Sequence, residues 1–567
     1  MPPKRKDLLV KPKGKAKAKA QDPQSENDFL EAADEHEQAA GKWRAGDAAK
    51  ATRFFNRAIE VYNEGLKRFP KSFDLAYNKA NLEYNLTEDI RIIPHLGPKI
   101  PLLEETLVSH RAAIQLAPST NTDILFNTAQ VLTSLAEAVL EAETQQVAKV
   151  PARALLEEAS DLFAKCLVSQ QEEYERMAAD MEAMKAQQHS DWDSDTVKQG
   201  YSDQDTSAME TASTTSSGPD EWATVEEPLT PLAILETCTA QLSALTTLLP
   251  LYDPADTSAI EPRAQQGLST TNKSIPTLLT LIQNSPSDQQ PVDDKSTAGP
   301  TLSLSSEPED IETSPQDDAV LASAAFNAAL AELQYRAAQI TSAQYANTIE
   351  SLFTTLTTQT QPQSQEQQLA RQNTISAYAD ALMDLASAIS ETSLYSASSA
   401  TNADAEIQWT SLTHAQKLLT SLASPPKDNS ISAPPPLPAI RLASIFMARA
   451  DVDLARFHIS VSPTAAPAWV SSRAVLIANA GVFYRGARTY AEKAGDAATR
   501  ETADGKAVVA EVLKEVSAAG DVNPGSVTVK EGWKGKGELV RRVLEGLVGE
   551  AVLGEAEARS VLEIVGV

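Results

Sequence analysis

The chain is poor in the residues from which catalytic and metal centres are built. Its 567 residues include two cysteines and six histidines, and no histidine stands at a Glu/His or Cys/His spacing that would gather a metal. Cys166 and Cys238 cannot form a disulfide framework. Both fall in apolar helical patterns, as expected of buried free thiols in a reducing compartment. No glycine-rich phosphate loop follows a strand-like segment, and acidic pairs such as Glu104-Glu105 and Glu157-Glu158 read as solvated helix faces. These absences argue against an enzyme and call for no cofactor or metal. No signal-peptide core is read at the N-terminus, and no apolar run reaches the length of a membrane span, so a soluble intracellular protein without membrane contact is expected. Strand-type alternation bounded by turn residues is missing too. With aromatics at 5% and alanine abundant, the expected fold class is all-α, packed through small side chains.

Acidic residues outnumber basic ones, 77 to 49, for a net charge of −28. The imbalance is uneven: residues 1–20 hold eight Lys or Arg and one acid, a net +7, which leaves −35 on the rest. Such a body repels nucleic acid and membrane surfaces and attracts cationic proteins. No direct nucleic-acid contact is therefore expected of it. The basic tail contains Lys4-Arg5-Lys6 after two prolines, which reads as an import signal for a receptor of the nuclear pathway, with a solvated arm or an RNA-brushing arm as the alternatives. Nucleus and cytoplasm are the expected locations.

Two stretches organise the N-terminal part. Phe73 to Leu86, FDLAYNKANLEYNL, returns about fifty residues later as Thr122 to Leu135, TDILFNTAQVLTSL. Both follow a proline, Pro70 and Pro118, and both carry a large residue, then Asn, then Ala two positions on. In an antiparallel helix pair a small residue belongs where the partner crosses closely, and Ala80 and Ala129 fill that place. Each stretch is preceded by another helical segment ending at proline, a stop signal. The pattern resembles the tetratricopeptide repeat (TPR), a helix–turn–helix unit of about 34 residues. On that resemblance Gly46-Asp47 is the turn of a first unit packed through Ala51, Phe55 and Ala58. Ala76, Tyr77, Asn78, Ala80 and Asn81 open a second unit, which Thr106, His110, Ala113 and Pro118 close. Leu125, Phe126, Asn127, Ala129 and Gln130 open a third, closed by Ala159, Phe163, Cys166 and Leu167 after an extra segment. The connection TEDIRIIPHLGPKIP in the second unit is longer than the family's turn.

Composition divides the rest. A basic tail over 1–25 and acidic Ser/Thr-rich linkers over 189–228 and 284–318 are expected to be disordered, since too few apolar residues are present to offset ordering costs. Between and after them lie a TPR-like domain over 26–188, a helical segment over 229–283 and a C-terminal helical region over 319–567. In the last, helices are expected at Ala319–Thr357, Gln368–Glu391, Ala405–Ala423 and Ala439–Ile459. A degenerate repeat unit bearing Ala487, Ala491 and Ala494 follows, and then a terminal amphipathic pair able to cap an array. The overall expectation is a TPR-like superhelix interrupted by long acidic insertions.

The resemblance also implies a binding face, because inner helices of TPR arrays line a groove. The family's contact positions fall on Asp74, Tyr77, Asn78, Asn81, Tyr84 and Asn85, and on Asp123, Phe126, Asn127, Gln130, Thr133 and Ser134. Co-chaperones of this family grip a peptide carboxylate with Lys, Asn and Arg, but the matching places here hold His36, Ala40, Asp123 and Asn127, so that role is not implied. Asn78 and Asn127 instead resemble an amide ladder that holds a peptide backbone. The reading that follows is a protein-binding adaptor for a basic client, with a scaffold or regulatory subunit of a larger complex as the alternative.

Overall fold

A computed structural model describes residues 22–117, 121–142, 145–194, 229–284, 313–358, 364–395, 402–424, 437–463, 465–519 and 530–566. Lys4, Arg5 and Lys6, and most of both acidic linkers, lie outside these. Among the described residues there is no strand, and the chain forms two compact units, Met1–Ala138 and Val139–Val567.

In the first unit, α1 (Glu26–Arg44) and α2 (Ala48–Arg68) pack face to face, and α3 (Phe73–Glu88) packs on α4 (Lys99–Leu116), with α5 (Asp123–Ala142) following. Each start has a local cause. Ser25 and Asp28 form a reciprocal capping box, Asp47 caps α2 from the predicted turn, and Ser72 caps α3. Ala33, Ala40, Ala51, Ala58, Ala80, Ala113 and Ala129 are all fully buried, so the helices meet closely through small side chains. Phe55 is only half-buried. The long connection after α3 is ordered by a 3-10 turn at Ile93–His95, by buried Ile92 and by an ion pair from Arg44 to Asp89.

The extra segment expected between the last two repeat helices is itself helical, because α6 (Gln145–Ser194) runs for 50 residues with Pro151 inside its first turns. It also continues past 188 into the expected acidic linker. The unit boundary falls within α5, and α6 packs on α7 (Pro231–Leu248). This divides the stretch expected as one domain over 26–188.

The second unit continues with α8 (Thr257–Ser269), α9 (Ile275–Asn284), α10 (Pro315–Arg336), α11 (Ser342–Thr358), α12 (Gln365–Tyr395), α13 (Asn402–Ala423), α14 (Ala439–Val461), α15 (Pro467–Ala494), α16 (Ala497–Ala519), α17 (Gly537–Gly549) and α18 (Glu555–Val565). The stretch Pro231–Leu251 is in fact long and apolar enough to span a membrane by length and composition, contrary to the sequence expectation. Here it is a core element, with Leu235, Cys238, Leu242 and Leu245 fully buried and α6 and α10 packed on it. The helix expected over Ala319–Thr357 is two helices. Ala338 takes a left-handed conformation at φ 56°, and Gln339 N–H closes on the Gln334 carbonyl at 2.9 Å, a turn that glycine normally makes and no glycine signals here. Helix α10 starts at Pro315, capped by Ser314, inside the stretch expected to be a linker to 318. The degenerate repeat unit is one continuous helix, α15, whose Ala487 and Ala491 are buried. Two helices were not foreseen: α8, obscured by Pro262 and Gly267, and α16, which packs on α15 and α17.

Candidate peptide-binding face

The site the sequence marks lies on α3 and α5. Asp74 and Asp123 both stand exposed in the first turn of their helices, where the helix dipole favours a carboxylate. Partial desolvation, then the charge of Glu26, holds the Asp74 carboxyl above its ordinary range. Tyr77, Asn78, Asn81, Tyr84, Phe126, Asn127 and Gln130 are all half-buried, and Asn85 is exposed.

Their hydrogen bonds explain the burial. Asn127 Nδ2 donates to Tyr77 Oη at 3.2 Å, and the hydroxyls of Tyr84 and Ser134 lie 3.2 Å apart. Both contacts join residues fifty apart, so α3 and α5 align in a fixed register through polar side chains of the inner face. Asn78 Nδ2 instead donates to the Asp74 carbonyl, 2.8 Å away in its own helix. The two asparagines are thus unlike: one ties neighbouring helices together and the other closes on its own backbone. Each amide keeps a second N–H and a carbonyl oxygen for other partners. Burial and the Asp123 charge push the Tyr77 hydroxyl above its usual range, and burial does the same to Tyr84.

Behind this face, α3 and α4 share a polar seam. Lys79 Nζ lies 2.9 Å from Glu83 Oε1 and 2.8 Å from Ser109 Oγ, with both charged side chains largely covered. His110 is fully buried edge-on to the Tyr84 ring, its Nδ1 3.0 Å from the Thr106 carbonyl, and burial lowers its pKa. A neutral imidazole with the proton on Nδ1 fits that contact. It is a packing histidine, as its place in the repeat implies.

The second unit carries acidic features the sequence reading did not single out. Asp380 and Asp384 stand one turn apart on α12, where desolvation pushes their carboxyls up to about 6 and about 8, opposed at Asp380 by Arg441 and reinforced at Asp384 by Glu332 and Asp380. Both residues are nonetheless exposed to solvent. Arg336 bridges Glu332 and Glu391, joining α10 to α12. Lys506 Nζ lies 3.0 Å from both oxygens of Asp451, which also accepts from Tyr484 Oη at 2.5 Å, joining α14, α15 and α16. The DALMD spacing on α12 was the one available sequence signal. A cavity of about 30 Å³ beside Ser387, Ser390, Asp451 and Glu550 has room for little more than a water. Among the described residues no three His, Cys, Asp or Glu side chains are grouped to hold a metal.

No protein-family model matches the chain. Over 132 residues it is 29% identical to UPF0656 protein C926.02 of Schizosaccharomyces pombe (strain 972 / ATCC 24843), a match covering 23% of this chain and 29% of that protein. The chain therefore spans less than a third of that relative's length. Among solved structures, a circular tandem repeat protein with novel repeat topology and enhanced subunit contact surfaces superposes with a TM-score of 0.27 at 10% identity, over 95% of this chain and 91% of that one. A superposition that loose adds nothing to what the helices themselves show.

Proposed function

We propose that this chain is a non-enzymatic, TPR-type adaptor that holds a basic client, such as a ribosomal or other nucleic-acid-binding protein, as an escort or assembly chaperone. The observation that carries the reading is the pair of exposed aspartates, Asp74 and Asp123, at matching places on two helices held in register by Tyr77 and Asn127. The chain beyond residue 20 carries a net charge of −35. Exposed charge of one sign steers a cationic protein toward the face, and half-buried amides and hydroxyls supply directional contacts once it arrives. The Lys4-Arg5-Lys6 tail fits an escort that enters the nucleus.

Isothermal titration against a panel of basic ribosomal proteins tests this. Binding at physiological salt is expected, and its complete absence across the panel would sink the reading. Converting Asp74 and Asp123 to Asn should slow association and flatten the salt dependence while leaving the dissociation rate nearly unchanged.

A further inference from the structure

The C-terminal half of α6 is a helix without a covering partner among the described residues. Gln170 is buried, but from Gln171 to Met184 no residue is. The stretch is nonetheless amphipathic: Tyr174, Met177, Met181 and Met184 recur at intervals of three, four and three, which puts them on one stripe. Met181 and Met184 are 59% and 66% exposed. Glu173 and Asp180 border the stripe on one side, with Arg176 3.9 Å from Glu173, and the stretch as a whole holds five acids against one arginine. Methionine is flexible and polarizable, and stripes of it suit partners whose apolar faces vary in shape.

We propose that this stripe is a docking surface for a basic amphipathic helix of the client, with the client's apolar face on the methionines and its lysines or arginines against the acidic border of Glu173 and Asp180. The proposal rests on the basic-client reading for its partner's charge and adds to it a second contact site, on a separate element, that recognises apolar pattern as well as charge. That border argues for that occupant over a second copy, since two such helices laid antiparallel would set Glu173 and Asp180 against their own kind. The stripe runs about 15 Å from Tyr174 to Met184, enough for roughly three turns of a partner helix.

The probe is a labelled synthetic peptide of about 18 residues with leucines on one face and lysines on the other, paired with a scrambled peptide of the same composition, each titrated by fluorescence anisotropy into the full chain. The patterned peptide should bind at least about tenfold tighter than the scrambled one. The triple variant Met177→Ser, Met181→Ser, Met184→Ser, at one half-buried and two exposed positions, should lose that advantage while its salt dependence and its circular dichroism melt stay as in the parent. If both peptides bind alike and the triple variant changes neither, the docking site is refuted and the charge-based client reading stands. If neither peptide binds at low salt, both fall. A dimer in sedimentation that the triple variant dissociates would give the stripe to a second copy, and a gain in peptide affinity on deleting residues 1–21 would give it to the chain's own basic tail; either result overturns the proposal.

Discussion

Asn78 and Asn127 occupy the same place in two similar stretches, so replacing either by alanine would be expected to do the same small thing. Their contacts separate them. The Asn78 amide bonds the carbonyl one turn back in its own helix, a contact present in α3 whether or not its neighbours are in place. Alanine removes that bond and improves helix propensity by about 0.6 kcal/mol, so Asn78→Ala should be neutral or slightly stabilising. The Asn127 amide joins α5 to the Tyr77 hydroxyl. Its loss costs about 0.5–1.5 kcal/mol and leaves a half-buried hydroxyl without its donor. After the same propensity gain, Asn127→Ala should destabilise the first unit by about 0.5–1 kcal/mol, roughly 1 kcal/mol worse than Asn78→Ala. A double-mutant cycle with Tyr77→Phe should return a coupling of at least about 0.5 kcal/mol for Asn127 and none for Asn78. Because the chain folds as two units, native-state hydrogen exchange at amides of α3 and α5 is the appropriate readout. Equal effects at the two asparagines, or a coupling of zero at Asn127, would refute the register contact and the face built on it.

Other substitutions test the second unit. A Cβ at Gly267 would fall 2.7 Å from Phe326 Cε1 and closer still to its Cζ and Cε2, so Gly267→Ala should destabilise by about 1–3 kcal/mol despite alanine's better propensity, with partial recovery on adding Phe326→Leu. Lys506→Met leaves Asp451 without its cation in a largely covered place, an expected loss of about 3–5 kcal/mol that Asp451→Asn should partly restore; no loss in thermal melts would mean the pair is solvated. Asp380 and Asp384 are raised from 3.8 to about 6 and about 8, so the folded state holds protons there that the unfolded chain releases. Their contribution to stability is present near pH 4 and fades as pH rises through about 6 and then about 8. Asp384→Asn should therefore lose less stability than the parent across that range, and parallel pH–stability curves would contradict it.

What was legible in the sequence was whatever a local pattern specifies. Alanines at helix crossings, Asp47 as the cap of α2 and the terminal pair α17–α18 were all readable, because each depends on spacing or on a single side chain beside a backbone end. Misreadings arose where a residue did an atypical job. Ala338 turns the chain as glycine would, Pro151 and Pro262 sit within helices, where proline more often ends or kinks one, and Gly267 is a packing contact where it resembles punctuation. The candidate face was legible as positions and illegible as contacts. Nothing in the repeat pattern says that Asn127 meets Tyr77 while Asn78 turns back on its own helix, since that depends on how α5 is rotated against α3.

The use of scarce cations bears on how the acid excess can serve binding. Several of the basic side chains are placed at junctions between helices: Arg44 holds the connection after α3, Arg336 ties α10 to α12, Lys506 sits among α14, α15 and α16, and Lys536 pairs with Asp504 between α16 and α17. Cations committed to internal pairs do not screen the outer acids. Each such pair removes one acid with its cation, so the whole net acid excess is left to the remaining side chains, and its self-repulsion weighs against the folded state. A basic partner relieves that repulsion as it binds. Association with a basic partner, and the stabilisation of the fold that it confers, should therefore weaken together as ionic strength rises, which ties the client reading to the energetics of the chain itself.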